Sequence, residues 1–128
     1  MGYRSDVFYG AEFLSDDVAE AALNAAILKY FHDKSDFWVH SFQRSNQYIL
    51  FTAGGVKWYT DSAEVSAVKD MFENFFHKMY DANVRYIREG EDFGDSEREM
   101  FESVNRDWPD AFYECSVERK IVTPWGDV

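Results

Sequence analysis

The sequence predicts an α+β fold: a ferredoxin-like β-α-β-β-α-β antiparallel sheet with two helices on one face, followed by a short helix and an extra strand. Three observations lead there. Residues 19–30 and 65–79 repeat apolar side chains at helical spacing, four runs alternate or cluster aromatic and β-branched residues as strands do, and the two kinds follow one another in that order. The chain has 128 residues, only Pro109 and Pro124 as prolines, and no Pro/Gly/Ser-rich linker, so it reads as one domain over 1–122 with a loose tail over 123–128.

Tyr3 to Tyr9 reads as the first strand, with Tyr3, Val7 and Tyr9 on one face and Arg4, Asp6 and Phe8 on the other. Ser15 offers a hydroxyl N-cap to a first helix, and Asp16 and Asp17 follow where the helix dipole favours negative charge. Ala19, Ala22, Leu23, Ala26, Ile27 and Tyr30 return on one face, and the small alanines let this helix lie close to a sheet. Phe37–Phe42 and Tyr48–Ala53 are aromatic and β-branched runs around the polar turn Arg44-Ser45-Asn46-Gln47, an antiparallel hairpin. Gly54-Gly55 permits a bend or bulge before Val56–Tyr59 resumes an extended run, with a tight Gly-Gly hairpin as the competing reading.

Asp61 and Glu64 have capping-box spacing and open a second helix, whose apolar stripe is Val65, Val68, Phe72, Phe75, Phe76 and Met79. Asn83–Glu89 is the fourth strand, and Gly90 and Gly94 punctuate the loop behind it. Ser96 and Glu99 fit a second capping box, so Met100, Phe101 and Val104 are expected on a short helix that Pro109 stops. Phe112–Val122 is the extra strand, with Tyr113, Cys115 and Val117 inward. One sheet face is left open, with Trp38, Phe42 or Phe51 expected on it beneath the C-terminal segment or a partner.

Composition narrows the function. With 46% hydrophobic and 19% aromatic residues the chain has enough apolar area to offset the entropy of ordering, which argues against disorder. No stretch reaches the roughly 18 apolar residues of a membrane span. The first residues do not follow a charged-then-apolar leader pattern, so export by a signal is not expected. The single cysteine, Cys115, forms no intramolecular disulfide, and a reducing cytoplasm is the expected location. A formal charge of −11 repels a phosphate backbone, so direct nucleic-acid binding is not expected.

Several chemistries fail on spacing. An EF-hand loop with Gly94 at its sixth position would need oxygen ligands where Phe93 and Met100 stand. Irregular magnesium or manganese binding by Glu91, Asp92 and Asp95 is weaker than a solvated cluster as an explanation, and no metal or cofactor is expected. His32, His40 and His77 form no zinc motif, and structural roles fit them better. Cys115 reads as a buried structural thiol. No nucleophile elbow, phosphate-binding loop or dinucleotide turn occurs, and no catalytic residue is assigned.

The acids are concentrated. From Glu89 to Glu118 there are eleven, against Arg98 and Arg106 as the only bases. On the expected short helix Asp95, Glu99 and Glu102 recur at i, i+4 and i+7, which costs a few tenths of a kcal/mol per like-charged pair, so stability alone does not favour the row. A solvated edge with partial pairing is the plain explanation. The sharper one is a surface of Glu89, Glu91, Asp92, Asp95, Glu97, Glu99 and Glu102, anchored by Phe93 and Trp108, that imitates nucleic acid to a basic protein. A different class uses Arg85 and Arg88 of the fourth strand, beside sheet aromatics, to hold a nucleotide. A third is self-association, as a homodimer through the open face or an edge strand.

Met1-Gly2-Tyr3-Arg4-Ser5-Asp6-Val7, Lys57-Trp58-Tyr59 and Tyr86-Ile87-Arg88-Glu89-Gly90-Glu91-Asp92 resemble a group of small proteins encoded by tailed bacteriophages and prophages. The resemblance covers about a fifth of the chain. It brings no catalytic residue and implies expression inside an infected bacterium, where an acidic accessory protein would act against a nuclease or CRISPR complex. The leading expectation is therefore a non-enzymatic anti-defence inhibitor that binds a host nucleic-acid-binding protein.

Overall fold

The computed structural model describes residues 3–30, 41–117 and 120–128. Five of its strands are β1 (Ser5–Glu12), β2 (Phe42–Ser45), β3 (Tyr48–Val56), β4 (Asn83–Gly90) and β5 (Ser96–Phe101). They form one antiparallel sheet in the order β2-β3-β1-β4-β5. Helix α1 (Asp16–Tyr30) and helix α2 (Ala63–Asp70), which runs on as a π-helix over Met71–Met79, pack on one face of this sheet. A short helix α3 (Asp110–Tyr113) then leads into a second sheet of β6 (Ser116–Val117), β7 (Ile121–Thr123) and β8 (Gly126–Asp127).

β1 is the central strand because both of its faces are apolar. Val7, Tyr9 and Ala11 meet the helices, where Ala19, Ala22 and Ala26 of α1 bring that helix close, and Val65, Val68, Phe72, Phe75 and Phe76 fill the rest. Phe8 points the other way and joins Leu50, Ile87, Cys115 and Ile121. Each fully buried large side chain contributes about 1.5–3 kcal/mol relative to exposure. Both helices begin at side-chain caps: Ser15 Oγ accepts from Val18 N–H at 3.2 Å and Ser62 Oγ from Val65 N–H at 3.2 Å. The second cap is one residue later than the Asp61 that the capping box suggested.

The hairpin of β2 and β3 turns at Asn46-Gln47, with Asn46 at φ 53°, and Arg44 and Ser45 belong to β2 rather than to the turn. Residues 37–40, with Trp38, lie outside the described residues. Gly54-Gly55 is a bulge and not a hairpin: β3 runs through it, and its register against β1 slips between Ser5 and Val7. The extended run expected over Val56–Tyr59 ends at Val56, and Trp58 turns into the helix-side core.

Three further expectations are corrected. Phe42 and Phe51 lie in the helix-side core, not on an open face. Met79 is 70% exposed, and Tyr80 packs on Phe75 and Phe13 in its place, at 5.2 and 6.1 Å between ring centroids. The π-helix explains the exchange, because wider i→i+5 turns bring a residue back to the same face later than an α-helix does. The segment Ser96–Phe101 is a strand, not a helix. An isolated helix that short is marginal, whereas β4 has an outer edge whose backbone groups gain partners from it.

The C-terminal segment supplies the cover for the second face. Phe112 of α3 lies over Gly10, where an added Cβ would stand 3.0 Å from the Phe112 ring. Pro109 precedes α3, so the strand expected from Phe112 starts only at Ser116, and Tyr113 faces solvent. The expected loose tail instead folds back as β8: Trp125 stacks on Phe8 at 6.1 Å and 17° and meets Tyr48 at 4.9 Å.

The chain leaving β5 is held by a polar clasp. Asn83, fully buried, donates to Glu12 Oε1 at 3.1 Å and to the Asp107 carbonyl at 3.0 Å, and accepts from Ser103 N–H at 2.7 Å. Arg106 donates to Glu12 Oε1 at 3.1 Å and to its carbonyl at 2.8 Å. Asp81 accepts from Ser103 Oγ, Asn105 and Val104 N–H. Buried polar groups of this kind are tolerated only when they are paired.

Candidate functional site

The acids that the sequence singles out lie mainly on the hairpin of β4 and β5, and strand geometry sorts them, since successive residues point to opposite faces. Tyr86 and Arg88 of β4 stand on the helix side, opposite Glu99 and Glu97 of β5. Arg85, Ile87 and Glu89 stand on the other side, opposite Met100, Arg98 and Ser96.

Arg88 organises the first group. Its side chain is 13% exposed, and it donates Nε to Glu97 Oε1 at 2.6 Å, Nη2 to Asp95 Oδ1 at 2.8 Å and Nη1 to Ser5 Oγ at 3.0 Å. Tyr86 O–H donates to the same Glu97 oxygen at 3.1 Å. The Arg88 hydrogen bonds hold both carboxyls below the usual carboxylate range, with Tyr3 assisting at Asp95, and they raise the arginine's own pKa. Burial lifts the Tyr86 hydroxyl well above its ordinary value, and Glu97 adds to the effect.

The loop between the strands is tied to the N-terminal segment. Tyr3 O–H donates to Asp95 Oδ2 at 2.6 Å, Asp92 N–H donates to Tyr3 Oη at 2.9 Å, and Arg4 N–H donates to Glu91 Oε1 at 2.7 Å. A Cβ at position 90 would collide with Asp95 Oδ2 and Tyr3 Oη, so any larger residue there would have to displace the hydrogen-bonded Tyr3–Asp95 pair. A cleft of about 500 Å³ opens beside Arg88, walled by Tyr3, Trp58, Tyr59 and Asp61. These four come from two distant segments, so no local spacing joins them in the sequence. Two glycines between extended runs are a hairpin signal, and that would have brought Arg88 against Glu97.

The expected array is therefore only partly presented. Asp95 and Glu97 are held by Arg88, Glu91 by a backbone N–H, and Glu89 Oε2 is buried. Asp92, Glu99 and Glu102 are exposed and, among the described residues, form no ion pair. The row of Asp95, Glu99 and Glu102 along a helix does not exist, because that helix is β5. Phe93 is fully exposed at the hairpin tip. Trp108 is half-buried and packs on Phe112 at 5.1 Å.

Arg85 and Arg88 are on opposite faces, so they do not converge on one phosphate. Arg85 donates to the Glu99 carbonyl at 3.2 Å, and burial lowers its pKa. His77 Nδ1 lies 2.9 Å from the Ala82 carbonyl and its ring packs on Phe101, while His32 and His40 lie outside the described residues. Cys115 is buried, and desolvation pushes its thiol up to about 11. Among the described residues no three His, Cys, Asp or Glu side chains are placed to hold a metal ion, and no helix is long and apolar enough to cross a membrane. No protein-family model, no curated protein and no solved structure matches this chain.

Proposed function

We propose that the protein is a non-catalytic binding module that uses the β4–β5 edge to engage the basic, nucleic-acid-binding surface of another protein. One observation carries the reading: β5 is an outer strand exposed over almost its whole length, with Glu99 on it, Asp92 and Glu102 flanking it, and no described base paired to those three. Exposed charges of one sign steer a cationic partner and set the salt dependence of its capture. Arg88 has a supporting role here, fixing Asp95 and Glu97 so that the hairpin keeps one shape.

The phage resemblance suggests the setting, a bacterial nuclease or CRISPR complex inside the infected cell. The placement of β1 between β3 and β4, with β2 outside β3, supports a ferredoxin-like reading of the scaffold, to which β5 is an addition.

Affinity capture from bacterial lysate at graded salt, followed by a gel-shift assay of the captured protein on its nucleic acid, tests the proposal. The expected partner is basic, elutes as salt rises, and releases nucleic acid when this chain is added. Double reversal at exposed positions, Glu99→Lys with Glu102→Lys, should abolish the effect. Capture that ignores both salt and charge reversal would falsify the electrostatic mechanism.

A further inference from the structure

We propose that β5 is a docking strand, taking an extended basic segment of the partner as a sixth strand of the sheet. This rests on the function proposed above and specifies how that edge would be read. β4 pairs one side of β5, and among the described residues no strand pairs the other. An outer strand presents unpaired N–H and C=O groups, and an added strand satisfies them while its alternate side chains read the two faces.

β5 is open to such pairing. Ser96 to Met100 are exposed, the strand has neither proline nor lysine, and its register against β4 is regular from Val84–Phe101 to Glu89–Ser96. The opposite edge of the sheet is less available, since β2 has four residues and its Arg44 is tied to Asp16 at 2.6 Å.

The charges choose the occupant. Two copies of β5 paired about a two-fold axis overlap most fully when centred on Arg98 or on Glu99. The first register opposes Arg98 to Arg98 and Glu97 to Glu99, and the second opposes Glu99 to Glu99. Like charges directly opposite are destabilising, so a second copy is a poor fit. A foreign strand fits when it carries Lys or Arg at two alternating positions, facing Glu97 and Glu99 on the helix side. Glu97 contributes although it is paired, because only its Oε1 is used, by both Tyr86 and Arg88, and its side chain is 54% exposed. Between those cations the segment meets Arg98, and beyond them Met100, so its other face must carry small polar or apolar residues.

The experiment is a titration of the ¹⁵N-labelled chain with three short peptides: one alternating Lys and Thr, the same peptide N-methylated at alternate residues, and one alternating Glu and Thr. The first should shift the amides of Ser96–Phe101. Backbone methylation, which removes the donors an added strand needs, should weaken binding at least about tenfold. Glu99→Lys should weaken it about three- to tenfold, and the acidic peptide should not bind. Equal binding of the methylated peptide, or shifts that spare β5, would overturn strand addition while leaving an acidic docking surface standing. Self-association through β5 in sedimentation would overturn the choice of occupant. Failure of every basic peptide and every basic protein to bind would remove the underlying function as well.

Discussion

Replacing Trp125 with alanine tests whether the C-terminal segment is a structural cover or a loose end. Trp125 stacks on Phe8, meets Tyr48, and approaches Phe112 edge-on at 6.1 Å, and Phe8 and Phe112 are buried almost completely. The hairpin that carries it is held by Thr123 Oγ1 donating to the Gly126 carbonyl at 2.7 Å and by Val128 N–H donating to the Ile121 carbonyl at 3.0 Å. Truncating a fully buried Trp costs about 3–5 kcal/mol. Trp125 is half-buried, so about 2–3 kcal/mol is the expected loss, and three aromatic pairs at about 0.5–1.5 kcal/mol each bracket the same figure. For a chain of this length about 4 °C per kcal/mol applies, which gives a fall in Tm of about 8–12 °C by circular dichroism. Trp125→Phe should lose less than half as much, because it keeps the stack on Phe8. A Tm within about 2 °C of wild type for Trp125→Ala would show that residues 123–128 do not cover the sheet, and the second core would need another lid.

Asp95 and Glu97 have folded pKa values below their ordinary 3.8 and 4.5, so their stabilisation is complete above those values and is lost as pH falls through the folded ones. Urea midpoints should therefore begin to drop as pH falls below about 5 and go on dropping below the ordinary carboxylate range, and drop less steeply in Arg88→Met; parallel curves would disprove the coupling. Asn83→Ala removes the partner of Ser103 N–H and one donor to Glu12 inside the fold, and should cost about 2–4 kcal/mol in urea denaturation, where a loss below about 0.5 would show that the clasp is not formed. Cys115, buried with its thiol raised to about 11, should react with a maleimide only as denaturant unfolds the chain, and rapid labelling of the native protein would contradict its packing.

The sequence was most legible where local pattern and tertiary context agree. Ser15 before Asp16 and Asp17, the alternation along β1, and the alanine face of α1 all translate directly into structure: the serine caps the helix, Val7 and Tyr9 meet the helices while Phe8 enters the second core, and the alanines take the face that lies on the sheet. Ser96–Phe101 misleads because its capping-box spacing is a local signal, and local signals are weak beside a sheet edge offering hydrogen bonds. Its own alternation is concealed as well: Glu97, Glu99 and Phe101 share a face on which only Phe101 is apolar. Met79 failed for a different reason. It satisfies the α-helical period, and nothing in Phe72, Phe75 and Phe76 announces that the helix widens after Asp70.

The candidate site was legible as composition and not as geometry. Sequence gives the excess of acids after Glu89, but which of them face solvent depends on Arg88, and its partners are set by a register only the folded hairpin has. Asp95 and Glu97 serve the fold: with Tyr3 and Gly90 they close the loop between β4 and β5. Glu99 has no such duty at its carboxylate, and it stands on the same face of the same strand as Glu97, about 7 Å away along the chain. If the acids were there only for solubility, like charges at neighbouring positions on an outer strand would be explained by avoidance of self-pairing alone. Avoidance and attraction then make opposite claims about one residue. Reversing Glu99 sets a lysine opposite Glu97 in the register centred on Arg98, so avoidance alone predicts new self-association and no effect on a basic strand, whereas only attraction predicts that binding of a basic strand weakens about three- to tenfold.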